Sequence, residues 1–134
     1  MEENKIQYLQ LIQNVITRMA SNSFMLKGWT VTLVVGLLAF ANVSEMESKY
    51  IILALVPAIM FWVLDGFFIY QEKLYRDLYN NAIKLKNDEI DFSLNPIPFK
   101  KLNKRSWFKG IFSKTLWIFY LPIIVVIICA LILF

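Results

Sequence analysis

The sequence predicts an all-α integral membrane protein with three transmembrane helices, the first two forming a long antiparallel hairpin that projects into the cytoplasm. Three observations carry this reading. Hydrophobic residues make up 58% of the 134 residues and charged residues only 18%, against an ordinary ~25% charged. The apolar residues gather in three runs, Phe24–Val43, Tyr50–Tyr70 and Leu116–Phe134, each near the ~20 residues a helix needs to cross ~30 Å of hydrocarbon. Of the 14 basic and 10 acidic residues, only Lys27 and Asp65 fall inside those runs. A mean hydropathy of +0.55 in a 15.8-kDa chain has no soluble explanation. The chain reads as a single membrane domain, 1–134, with no extramembrane segment large enough to fold alone.

Residues 1–23 read as a cytoplasmic helix. Ile6, Leu9, Ile12, Ile16 and Met19 recur at three and four residues along one face, and Asn14, Arg18 and Asn22 form an opposite polar stripe. Nothing breaks the pattern before the first span (24–43), so one helix of about 60 Å is expected from residue 4 to 43, at ~1.5 Å per residue. A cleaved signal peptide is the rival reading of that span, with Ala39-Phe40-Ala41 as the cleavage site. It is disfavoured because a signal peptide opens on a short basic segment rather than a long amphipathic one. The second span (50–70) continues as a cytoplasmic extension, 71–87, with Leu74, Leu78, Ala82 and Leu85 at helical spacing. Two long helices joined by a short turn form a hairpin whose projecting halves cover each other's apolar stripes. An amphipathic helix lying on the bilayer is the other use of such a stripe.

Residues 88–114 form a basic cytoplasmic loop. Asp88–Asn95 alternates polar and apolar residues and reads as extended, and Pro96 and Pro98 stop any helix. Lys100–Lys104 is basic. Ser106–Ser113 reads as a short interfacial helix leading into the third span (116–134), with Trp107, Lys109 and Trp117 at the lipid interface. Asp88, Glu89 and Asp91 read as a solvated acidic turn, because the rest of a calcium-loop pattern is missing.

Lys and Arg set the orientation. Ten lie in 71–114 and three in the N-terminal flank and first span, whereas the loop 44–49 has only Lys49. The N-terminus and long loop therefore face the cytoplasm, and the C-terminus faces out. The expected partners are the lipid bilayer and, through the basic loop, anionic lipids. A homo-oligomer or a cytosolic protein partner is also expected, and nucleic acid is not.

The spans hold few polar features. If the turn centres near Met46, Lys27 stands opposite Asp65, and Arg18 opposite Glu72 one level nearer the cytoplasmic end. An ion pair that fixes hairpin register is preferred for Lys27 and Asp65 over a proton or ion site. Gly28, Thr32 and Gly36 form a small-residue face for close helix approach. Its partner is the second span, through Ala54 and Ala58, or a neighbouring subunit, and the intrachain reading is preferred. Pro57 and Pro122 predict helix kinks. Cys129 is a small apolar filler. Asn42-Val43-Ser44 is a glycosylation sequon that matters only in a secretory pathway.

Enzyme classes are poorly served. The chain has no His and one Cys, which removes Ser–His and Cys–His pairs, His-ligated metal and an intrachain disulfide. It has no nucleophile elbow, P-loop or H-E-x-x-H. Neither an enzyme activity nor a cofactor is expected.

Ile16–Trp29, Phe61–Tyr79 and Phe112–Pro122 resemble a family of small bacterial multi-pass membrane proteins, similar to proteins found in anti-phage defence islands. The resemblance implies a bacterial inner-membrane location and a defence effector. Three functions then compete: an oligomeric effector that perturbs the membrane or opens a pore, an anchor or scaffold that docks a cytosolic partner, and a small ion-coupled transporter using Asp65. The transporter ranks last, because Asp65 lies far from the midplane.

Overall fold

The computed structural model describes residues 3–41 and 48–133. Helix α1 spans Glu3–Ala41 without interruption. A 3₁₀ helix, Ser48–Ala54, winds into α2, Leu55–Ile83. After a 3₁₀ turn at Asn87–Glu89 and an extended stretch come two short helices, α3 (Pro98–Leu102) and α4 (Trp107–Ile111), and then α5 (Lys114–Leu133). No strand occurs among the described residues. Three helical stretches, Glu3–Phe40, Ile51–Ile83 and Lys114–Leu133, are long and apolar enough to cross a membrane. The turn around Met46 and the sequon at 42–44 lie outside the described residues.

α1 and α2 pack antiparallel. At their open end Tyr8, Ile12 and Ile16 of α1 meet Leu78 and Ala82 of α2, covered by Ile90 and Phe99 from the loop. Near the turn Val34 meets Ile51, Ala54 and Ala58, and Ile127 of α5 joins them. In between, Ile69 of α2 packs with Leu116 and Tyr120 of α5. At this open end the apolar stripes of α1 and α2 cover each other, with the loop as a third contributor.

Local chemistry explains the boundaries. Pro57 is the third residue of α2, where its missing N–H removes no intrahelical bond because the first four N–H groups have no such partner. The tighter 3₁₀ winding ends three residues before it. Pro122 lies inside α5, which stays helical on both sides. α2 ends at Ile83 rather than near 87. The N–H groups of Lys84 and Leu85 close onto the carbonyls of Asn81 and Ala82, both at 3.1 Å. The turn brings Asn87 round to α1, where its Oδ1 accepts the Lys5 backbone N–H at 3.1 Å, satisfying one orphan donor of the first turn. The stretch after Asn87–Glu89 is extended and straps across α1. Tyr8 donates its hydroxyl to the Ser93 carbonyl at 2.5 Å, and its ring meets Phe92 edge-on at 6.0 Å. Phe92 takes a left-handed conformation at φ 56°, a costly state for a bulky residue that this ring contact helps to hold.

Candidate functional site: a polar knot at Asp65

The apolar spans converge on one carboxylate. Asp65 of α2 is fully buried. Its Oδ2 lies 2.7 Å from the Lys27 ammonium and accepts the Tyr120 hydroxyl at 2.9 Å. Its Oδ1 accepts the Ser23 hydroxyl. Ser23 in turn accepts from Lys27 Nζ at 2.8 Å. Ser23 and Lys27 are one turn apart on α1, so both reach the same carboxylate. Tyr120 comes from α5, and the knot ties all three long helices together. Phe119 places its ring 5.8 Å from Lys27 Nζ, within cation–π range. Thr30, also buried, returns its hydroxyl to the Leu26 carbonyl at 2.7 Å. An isolated charge here would be costly, and one bonded on both oxygens is tolerated. Three donors leave the carboxylate little capacity to take up a cation. Among the described residues no group of three His, Cys, Asp or Glu stands ready to hold a metal.

Arg18 and Glu72 are not brought together. Glu72 pairs with Arg76, one turn along its own helix, at 3.0 Å, and Arg18 is exposed on α1. An i,i+4 pair needs no reach across the hairpin, so Glu72, half-buried, takes the exposed Arg76 on its own helix.

The face of Gly28, Thr32 and Gly36 is also not where intrachain packing put it. A methyl group at Gly28 or Gly36 would meet nothing within 4 Å. Gly28 and Thr32 line an open groove with Ser21, Phe24, Met25 and Trp29. The reason is helical phase. α1 meets its neighbours through Ser23, Thr30 and Val34, and Gly28, Thr32 and Gly36 are two residues off that register, roughly 200° around the helix.

Close approach is made by two other glycines. A Cβ on Gly66 of α2 would stand 2.5 Å from the Ile111 side chain and 2.7 Å from its Cα, and a Cβ on Gly110 of α4 would collide with the Gly66 carbonyl. Two indoles clamp the contact reciprocally. Trp62 of α2 donates to the Ile111 carbonyl at 2.7 Å, and Trp107 of α4 donates to the Val63 carbonyl at 2.9 Å. Trp62 also stacks on Tyr120, with centroids 5.8 Å apart and planes within 6°, and meets Trp117 edge-on at 6.3 Å. Trp107 and Trp117 therefore have structural partners, and each remains partly exposed. Lys109 reaches the Lys104 carbonyl with Nζ at 2.7 Å.

A second ion pair fastens the loop. Arg105 holds Asp77 of α2 with two bonds, Nε to Oδ2 at 2.8 Å and Nη2 to Oδ1 at 2.9 Å. Burial disfavours the charged Asp77, but the hydrogen bonds from Arg105 and Asn103 and the Arg105 charge outweigh it and hold the carboxyl below its usual range. The same interactions raise the Arg105 guanidinium against its own burial. At Tyr8, burial and then the nearby Asp91 charge push the phenol upward.

Ser23, Tyr120, the glycine pair and Asp77–Arg105 are not singled out by the sequence reading. Two signals were present: Gly66 follows directly on the one acid of the second span, and Asp77 is the acid on the buried side of the 74/78 stripe. The fold and the knot define a class: a small all-helical protein with three helices fit to cross a membrane, joined by one buried polar cluster. Comparison with protein-family models, curated proteins and solved structures returns no match for this chain.

Proposed function

We propose that this chain is a non-enzymatic protein of the bacterial inner membrane that works as a homo-oligomer, perturbing the bilayer or forming a pore as an effector of anti-phage defence. The open groove on α1 carries the oligomer reading. Small residues on a transmembrane helix let another helix approach closely, and dispersion contact is the main attraction between helices in lipid. The chain's own helices leave Gly28, Thr32 and Gly36 unused, so a second copy is the natural occupant. The defence role rests on the resemblance of 16–29, 61–79 and 112–122. Because α5 presents an almost wholly apolar surface, any pore needs several subunits or a hydrophobic gate. A fully bonded Asp65 speaks against the ion-coupled transporter.

The test is subunit counting in nanodiscs combined with dye release from liposomes. A ring of several copies that releases dye supports the effector. A monomer or dimer that releases none supports the second reading, a membrane anchor. That reading draws on the strapped open end of the hairpin, where Tyr8–Ser93 and Asp77–Arg105 build a firm body for a cytosolic partner. Orientation is tested separately: with N-terminus in and C-terminus out, a reporter active only outside the cytoplasm works when fused after Phe134. Activity of a cytoplasm-only reporter there rejects the three-span topology.

A further inference from the structure

Residues 92–114 hold six basic residues and no acidic one, and the fold divides those charges by height. Arg105 is occupied by Asp77. Lys100 and Lys101 lie on α3, whose Phe99 packs against the open-end cluster of Tyr8, Ile12, Leu78 and Ala82. Asp77, at the near edge of that body, is twelve residues beyond Asp65 on α2, about 18 Å up the helix at ~1.5 Å per residue. α4 is held much lower. The indole of Trp107 on the Val63 carbonyl, that of Trp62 on the Ile111 carbonyl, and the Gly66–Gly110 contact fix it beside the Asp65 level. There it turns Phe108 outward at 71% exposure, with Phe112 against it at 4.8 Å between centroids. Lys109 and Lys114 flank Phe112 in sequence and both are exposed, whereas Lys104 is tied to the upper group, its N–H on the Lys101 carbonyl at 3.4 Å and its neighbour Arg105 on Asp77. Lys109 gives one of its three ammonium protons to the Lys104 carbonyl, and the others remain free.

We infer that α4 is a membrane foot: Phe108 and Phe112 sit at the boundary between headgroups and acyl chains, and Lys109 and Lys114 bind the headgroups of anionic phospholipid. Lys100 and Lys101 do not take part. The exposed ring pair selects a lipid surface over a purely polar ligand, and unopposed positive charge selects anionic over zwitterionic headgroups. The division follows from screening. The Debye length is ~8 Å at physiological salt, so charges about 18 Å up the helix feel little of the surface. The inference rests on the reading that the apolar helices cross a bilayer with residues 71–114 on one side. It does not depend on effector activity.

The experiment uses the full chain in nanodiscs of phosphatidylcholine mixed with brominated phosphatidylglycerol. With Trp29→Phe as the common background, quenching of tryptophan fluorescence reports lipid bound near Trp107 and Trp117, and brominated phosphatidylcholine gives the reference. The wild type should prefer phosphatidylglycerol, less so at high salt. The double variant Lys109→Gln, Lys114→Gln should lose most of that preference, on the order of tenfold, and Lys100→Gln with Lys101→Gln should lose little. Lys114→Gln alone, which spares the Lys109 bond, should fall between. Equal preference in the Lys109/Lys114 variant and the wild type overturns the proposal, as does an equal loss in the Lys100/Lys101 variant. Tight binding of an RNA oligonucleotide that the Lys109/Lys114 variant alone loses overturns it in favour of a nucleic-acid surface. A chain recovered outside the nanodisc fraction overturns the membrane reading and the foot together. An inserted chain with no lipid preference overturns the foot alone.

Discussion

The carboxylate of Asp65 has no exposed surface, so its charge depends wholly on the groups bonded to it. Removing Lys27 strands the charge with two hydroxyl donors, and breaking a buried pair in this way costs about 3–5 kcal/mol. Removing the Tyr120 hydroxyl deletes one bond to a charged acceptor, about 1.5–3 kcal/mol. Lys27→Met should therefore lower the melting temperature more than Tyr120→Phe. Adding Asp65→Asn to Lys27→Met should recover part of the loss, because the stranded charge goes with it. Strictly additive shifts in a thermal-unfolding cycle would mean that Lys27 and Asp65 act independently. The two charges were legible in the sequence because ionisable groups in apolar runs are rare and hairpin register aligns them. Ser23 and Tyr120 were not legible: a serine looks like the edge of the polar half, and a tyrosine in a span reads first as an interfacial anchor.

Among the elements, α4 and the loop before it depend on two contacts of different kinds. At Gly66 the neighbour is the Ile111 backbone, which cannot rotate away as a side-chain tip can. Gly66→Ala must displace α4, with a cost of about 1–3 kcal/mol typical of overpacking. Loss of the paired indole bonds should red-shift the Trp62 and Trp107 fluorescence. An unshifted spectrum at unchanged stability would mean that the two helices part easily. The loop's other fastening titrates. Asp77 binds its proton less readily when folded than when unfolded, so the contribution of the pair is complete above the ordinary carboxylate pKa of ~3.9. It is lost as pH falls through the lower folded value. Arg105→Gln should remove that part of the acid dependence and lower stability at neutral pH. The check is the melting temperature of the full chain in detergent across the acid range. Identical pH profiles for variant and wild type would show that Asp77 is not held by Arg105.

For the whole molecule, apolar run length and the grouping of charge made the three long helices legible, and the 3–4 spacing of Ile12, Ile16, Leu74 and Leu78 made the packed open end legible. Less of the relation between elements was readable. Periodicity says that a face exists but not what covers it, and the small-residue face of α1 points away from both partner helices. That geometry separates folding from assembly. A Cβ at Gly28 or Gly36 meets nothing within 4 Å beyond its own stretch of helix backbone, leaving room for a leucine, and each change also replaces a helix-disfavouring glycine. Gly36→Leu should therefore insert normally and melt at or slightly above the wild-type temperature in monodisperse detergent. If a second copy seats in the groove, the same side chain holds the two backbones apart and forfeits dispersion contact along the seam. Crosslinked oligomers in nanodiscs should then be lost while the monomer persists. An oligomer of unchanged size would mean that the α1 face is covered by lipid, and that assembly, where it occurs, uses another surface. Lowered stability of the isolated monomer would instead place the face within the chain, against the open groove that Gly28 and Thr32 line.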